Sequence, residues 1–137
     1  MTESGVRGLV MDSPSKSLIE ICSRLTAATG TGQLEWSAAQ ETVFIWTGKG
    51  GSISVSSRDA DGEEPYEVDV FNAAGQKVDT FSSEWVGKEQ EPAAWNEPVA
   101  RLYRAARRQA LGVDQILTDL LAELPQASEK AASTSTR

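Results

Sequence analysis

The chain has 137 residues and a formal net charge of −7, with 39% hydrophobic and 24% charged residues. This length suits one ordinary domain, and this apolar fraction is sufficient to form a core. The longest apolar run, residues 43–46, is far shorter than the ~20 residues that span a bilayer, so we expect no membrane contact. The excess of negative charge argues against a nucleic-acid binder, which normally has a surplus of Lys and Arg.

The absence of histidine is the most informative chemical feature of the sequence. It excludes Ser-His-Asp and Cys-His catalysis as well as His-ligated zinc. Cys22 is the only cysteine, so no intrachain disulfide can form, and a reducing cytosol fits best. The N-terminus has no apolar stretch of signal-peptide length. We therefore expect a cytoplasmic protein with no metal and no cofactor.

The first predicted element is a helix that opens at Ser13-Pro14, because Ser caps free backbone N–H groups and Pro is tolerated at the first helical position. Its apolar residues recur at helical spacing, at Leu18, Cys22 and Leu25. Gly30 and Gly32 are expected to end it near Thr29. Residues 1–12 lack periodicity and are predicted to form a flexible tail.

Five strand-like runs follow, at residues 34–36, 42–47, 52–56, 66–71 and 76–81. They are rich in β-branched and aromatic residues, and several alternate apolar with polar side chains. The short connections carry Gly, Asn and Asp, which are typical of turns. Short connections join antiparallel neighbours, so we predict a five-stranded antiparallel meander with one covered face and one polar face.

The C-terminal third is predicted to be helical. Asn96 is expected to cap a helix whose apolar residues keep helical phase from Val99 to Leu124. Gly112 leaves two alternatives, one long helix or two nearly collinear helices bent there. We expect the stripe, including Leu120, to lie on the sheet. Residues 13–125 would then form a single α+β domain, and residues 126–137 a disordered tail.

Two loops resemble ligand-binding motifs, but each lacks an essential residue. In the acidic loop at residues 59–64, aligning Gly62 with the sixth position of a calcium loop places Val68 where the bidentate Glu is required. The run at residues 48–52 lacks the earlier Gly and the following helix of a phosphate loop. We interpret both as hairpin turns and predict that neither calcium nor zinc binds specifically.

Two groups of side chains are candidate partner-binding residues. Arg101, Arg104 and Arg108 share one helix face, which is either solvated or a docking face for an acidic partner. Trp85 and Trp95 flank a polar linker and either pin it to the sheet or line a groove.

The order of motifs is similar to that of a group of small uncharacterised bacterial proteins with a helix–meander–helix layout. The resemblance rests on TGTGQLEW at residues 29–36 and RLYRAAR at residues 101–107, on either side of the meander. It implies an α+β fold and a bacterial source, and it transfers no activity and no functional residue.

The preferred interpretation is a non-catalytic protein-interaction module, such as an adaptor, inhibitor or accessory partner, that binds another protein. The alternative is a small-molecule-binding domain or a carboxylate-dependent enzyme with a cleft between sheet and helix. That alternative requires two acids converging in an apolar pocket. The visible acids lie on loops and outward strand positions, so no catalytic residue is predicted. Nucleic-acid mimicry by the acidic stretch has weaker support, because its acids are not periodic.

Overall fold

The computed structural model describes residues 14–126. Its elements, in chain order, are helix α1 (Lys16–Gly30), strands β1 (Ser37–Gln40), β2 (Val43–Thr47), β3 (Gly51–Ser57), β4 (Tyr66–Asn72), β5 (Lys77–Ser82), β6 (Trp85–Val86) and β7 (Glu91–Pro92), and helices α2 (Asn96–Ala110) and α3 (Val113–Glu123). Ser13 and the two predicted tails, residues 1–12 and 126–137, lie outside the described residues, apart from Gln126.

Helix α1 is capped by Ser15, whose Oγ accepts a hydrogen bond from the backbone N–H of Leu18 at 3.1 Å. The side-chain oxygen therefore satisfies one of the N–H groups left free in the first helical turn. The buried residues of α1 lie along one face and include the three predicted ones, Leu18, Cys22 and Leu25. This face packs against α2.

Strands β1 to β5 form one antiparallel sheet in sequence order, which confirms the predicted meander and the α+β fold class. The position of the first strand was wrong, since β1 begins at Ser37 rather than at residue 34. The backbone N–H of Trp36 donates to the side chain of Gln109 instead of a neighbouring strand. The Trp36 indole is buried and donates to Thr29 Oγ1 at 2.8 Å.

One face of the sheet carries the core, as the alternating pattern predicted. Phe44, Val55 and Val68 lie opposite one another on adjacent strands and are completely buried. Helix α2 covers this face with four buried residues, Val99, Leu102, Tyr103 and Ala106. The Tyr103 ring stacks on Tyr66 at 4.4 Å and meets Phe44 edge-on at 5.6 Å.

The linker before α2 contains a small ladder that was not predicted, in which β6 pairs with β7. Asn96 was expected to cap α2, and this prediction was wrong, because Trp95 occupies the cap position without a side-chain hydrogen bond. The amide of Asn96 instead accepts from the Glu84 backbone N–H at 2.9 Å and donates to its C=O at 2.8 Å. An amide side chain has both the donor and the acceptor that such a backbone unit needs.

The C-terminal helical region is two helices, because Gly112 adopts a left-handed φ of 66° between α2 and α3. The expected continuous stripe on the sheet was wrong, since α3 contains no buried residue and Leu120 is 47% exposed. Geometry explains this outcome. Helix α2 contacts β1 to β4. At 1.5 Å per residue its length is roughly 22 Å, about the width of five strands spaced ~4.8 Å apart. Gln109, near the end of α2, accepts from the backbone N–H of Trp36 just before the edge strand β1, so α3 begins beyond that edge of the sheet.

Candidate functional site

The predicted arginine face is present on α2, and its side chains are exposed as expected. Each arginine nevertheless lies near an acid. Glu97 is 3.1 Å from Arg101 and 3.9 Å from Arg104, and Asp114 is 2.7 Å from Arg108. These contacts offset much of the positive charge, so the face offers a weaker attraction for an acidic partner than its three arginines in the sequence indicate.

The two linker tryptophans have different environments. The Trp95 ring packs against the core, and its Nε1 donates to the backbone carbonyl of Ser82 at 2.9 Å. This arrangement matches the pinning interpretation. Trp85 lies in the β6–β7 ladder opposite Pro92 and is 38% exposed. Of the two, Trp85 is therefore the one with indole surface available to a partner.

The largest exposed apolar feature lies on α3, which was not among the predicted site residues. Five large side chains of this helix and its C-cap residue Leu124 are between 44% and 70% exposed: Ile116, Leu117, Leu120, Leu121 and Leu124. We call them the α3 apolar face. At 100° per residue they span an arc roughly 140° wide. The sequence showed this periodicity clearly, but periodicity alone does not distinguish a stripe buried against a sheet from one that faces solvent.

Acidic residues border the α3 apolar face on both sides. On the helical wheel Asp114 falls beside the edge formed by Leu121, whereas Asp119 and Glu123 fall beside the opposite edge. The helix contains no Lys or Arg. The face is therefore an apolar stripe between two negatively charged margins.

The start of α3 is fastened to α2 across the Gly112 turn. Both Nε and a terminal nitrogen of Arg108 contact Asp114 Oδ1, at 2.9 and 2.7 Å. The backbone N–H of Gly112 donates to the carbonyl of Gln109, in the last turn of α2, at 3.1 Å. Because these contacts lie at its first turn, they support the base of α3 and leave its apolar residues uncovered.

The uncovered sheet face carries a pair of carboxyl groups. Glu67 and Asp69 alternate on β4, and burial, followed by the charge of Asp69, raises the pKa of Glu67. Asp69 accepts a hydrogen bond from Thr80 Oγ1 at 2.6 Å and lies 3.6 Å from Lys77 Nζ. Glu67 also borders a surface depression of about 370 Å³ together with Arg58.

This carboxyl pair does not lie between sheet and helix, where the alternative interpretation placed a cleft. Packed side chains fill that region: Phe44, Val55 and Val68 of the sheet, and Leu102 and Tyr103 of α2, are all 2% exposed or less. A small molecule would have to displace core side chains to enter there. The structure therefore gives the cleft no support.

The acidic loop after β3 closes on itself. Asp61 accepts hydrogen bonds from the Glu63 backbone N–H at 2.9 Å and from Ser57 Oγ at 3.0 Å, and these bonds lower the pKa of its carboxyl. Within residues 14–126 no group of three or more His, Cys, Asp or Glu residues is arranged to hold a metal ion. The glycine-rich run at residues 48–52 joins β2 to β3 as a hairpin turn, as predicted.

Cys22 is a core residue with 1% exposure, and burial raises the pKa of its thiol to about 11. A thiol in this environment is protonated at neutral pH and is a poor nucleophile. The structure therefore agrees with its interpretation as a packing residue.

No protein-family model, no curated protein and no solved structure matches this chain. Among the described residues, no helix is both long and apolar enough to cross a membrane.

Proposed function

We propose that the protein is a non-catalytic protein-interaction module that binds its partner through the α3 apolar face. The observation that carries the proposal is the contiguous exposure of five large aliphatic side chains on one helix. Contiguous apolar patches on soluble proteins commonly mark interaction sites. Elsewhere in residues 14–126 the exposed large aliphatic side chains are scattered along the chain rather than gathered on one helix face: Ile21, Val78, Val86 and Leu111.

The spacing of these residues suits insertion into a groove. Leu117, Leu120, Leu121 and Leu124 lie at i, i+3, i+4 and i+7, the spacing by which an amphipathic helix anchors in a partner. Full burial of a Leu side chain is worth about 1.5–3 kcal/mol, so burying the exposed half of five such residues supplies roughly 4–7 kcal/mol. Association costs offset part of this gain.

In this proposal the arginine face and Trp85 contribute less to partner binding than the α3 apolar face does. Arg101, Arg104 and Arg108 lie on the helix that supports α3, and exposed ion pairs like theirs are worth only ~0–1 kcal/mol each. Reversing all three to Glu should therefore leave a folded protein, which circular dichroism would show. Loss of partner binding in the double variant Arg101→Glu with Arg104→Glu, which keeps the Arg108–Asp114 contact that supports α3, would extend the interface from α3 to α2.

The proposal is tested by site-specific photo-crosslinking in the full-length chain. A photo-reactive residue at position 121 lies on the α3 apolar face, and one at position 118 lies outside it on the same helix. We expect a protein adduct from position 121 and little from position 118. Equal adducts from both positions, or none from position 121, would contradict the proposal.

Capture alone is not sufficient, so the adduct protein is then purified and its affinity measured. Leu117→Ser with Leu121→Ser should weaken binding at least tenfold. The matched control, Thr118→Ser with Ala122→Ser, changes the same helix outside the apolar face and should leave affinity within twofold. Both double variants should stay folded, because α3 contributes no buried residue to the core.

A further inference from the structure

We infer that the α3 apolar face binds a protein groove that is apolar at its floor and carries Lys or Arg on both rims. This inference rests on the proposed function and adds the chemistry of the partner. Its basis is the placement of charge on α3, where Asp114 borders one edge of the face and Asp119 and Glu123 border the other.

The margins of a docked helix meet the rims of the groove that holds it. When the apolar side chains point to the floor, residues at the edges of the stripe lie beside the rim side chains. Acidic rims would bring like charges together at short range, whereas basic rims pair with them and favour the correct partner. The margins of α3 therefore select a basic rim.

The two margins of the α3 apolar face differ in how much negative charge is available to a partner. Asp114 already lies 2.7 Å from Arg108 of α2, so its charge is partly compensated within the chain. Asp119 accepts a hydrogen bond from the Gln115 amide at 2.8 Å, which leaves its charge in place. We therefore assign the stronger basic rim to the side of Asp119 and Glu123.

A second copy of the chain is a poor binding partner for the α3 apolar face. Two α3 helices packed together would each bring three acids and no base to the contact, and like charges along such a seam are unfavourable. An α3 of 11 residues is roughly 16 Å long. A pair this short is too small to bury the ~1,200 Å² typical of stable interfaces.

An anionic membrane surface is disfavoured by the same charges. Helices that lie in a membrane interface carry Lys and Arg on the polar face, where they meet acidic headgroups. Helix α3 has the opposite pattern, with Asp and Glu at both margins of its apolar stripe.

The test measures charge complementarity with the adduct protein recovered from position 121. Asp119→Lys with Glu123→Lys reverses the stronger margin and should weaken binding at least tenfold at low salt, with a reduced salt dependence. The matched control, Glu41→Lys with Glu89→Lys, makes the same charge change at two exposed acids outside α3. It should change affinity less than threefold.

Each alternative outcome has a defined meaning. Equal weakening by both charge reversals would show attraction by net charge alone and overturn the basic rim. If Leu117→Ser with Leu121→Ser abolishes binding and the α3 reversal does not, the proposed function stands and the inference fails. If neither change to α3 affects binding, the proposed function fails as well.

Two measurements on the purified chain test whether a second copy of the chain or a lipid membrane binds the α3 apolar face instead. Sedimentation velocity should show a monomer, and an α3-dependent dimer would assign the face to a second copy. Vesicles of phosphatidylglycerol and phosphatidylcholine should not retain the protein. Retention that disappears in the Leu117→Ser and Leu121→Ser variant would assign the face to lipid. Either result would overturn the inference.

Discussion

Leu102 and Leu120 test the assignment of core and surface along the two C-terminal helices. Both are leucines in helical phase with the same apolar pattern, and the sequence alone predicts that both are buried. In the structure Leu102 on α2 is completely buried, whereas Leu120 on α3 is 47% exposed. Truncating each to Ala should therefore have very different effects on the free energy of unfolding.

For Leu102→Ala we expect a loss of about 2–5 kcal/mol, because removing a fully buried Leu side chain forfeits its transfer free energy and leaves a cavity. For Leu120→Ala we expect a loss below about 1 kcal/mol, since water already reaches half of the side chain and no packed neighbour must close over a cavity. This smaller value replaces the 2–5 kcal/mol that burial of the whole stripe would imply.

Urea melts followed by tryptophan fluorescence and by far-ultraviolet circular dichroism measure both values. The free energy of unfolding should depend on urea concentration with the same slope in the wild-type chain and both variants, so that their midpoints can be compared directly. A loss of more than 2 kcal/mol for Leu120→Ala would show that α3 is packed in the free protein. The α3 apolar face would then not be available to a partner.

Three further predictions concern the core and the linker. Gly51→Ala should cost about 1–3 kcal/mol because its added Cβ would lie 2.2 Å from a backbone carbonyl oxygen of β4, whereas Gly50→Ala meets nothing within 4 Å and should be nearly neutral in urea melts. Asn96→Ala should cost about 1–3 kcal/mol, since it leaves a backbone N–H and C=O of the linker without their partner. Asn96→Asp keeps the accepting oxygen and loses the donating amide, so wild-type stability in that variant would contradict a role for the donated bond. Burial raises the pKa of the Cys22 thiol from 9.0 to about 11, so the folded state holds the thiol proton more tightly than the unfolded state does. The free energy of unfolding should therefore fall as the pH rises from about 9 to 11, by at most roughly 1.4 kcal/mol per pH unit. Cys22→Ala should lose that component in pH-dependent melts, and an unchanged profile would contradict it.

The meander was predictable because its information is local. Alternation places Ile53 and Val55 on one side of β3 and the serines on the other, and a side-chain period of two leaves no other arrangement for a half-covered strand. The turn residues lie in the observed connections, as at residues 48–51. The central strands were therefore predicted within a residue or two.

The misplaced elements depend on partners distant in the sequence. The segment before Ser37 has strand-like composition, yet the Trp36 backbone N–H bonds to Gln109, 73 residues away. Asn96 has the side chain of a helix cap, yet Glu84 provides a partly buried backbone unit that it satisfies instead. Local propensity could not indicate either choice, because the competing hydrogen-bond partner becomes available only in the folded chain.

In the candidate site, too, some features follow from the local sequence and others depend on tertiary contacts. The sequence by itself determined that α3 is amphipathic, that acids border its apolar stripe, and that Arg101, Arg104 and Arg108 share a helix face, since these follow from a period of 3.6 residues. Whether that stripe is core or surface was decided only by the tertiary structure. The left-handed turn at Gly112 ends α2 where the covered sheet ends, and the apolar residues beyond it therefore have no surface of their own chain to bury against.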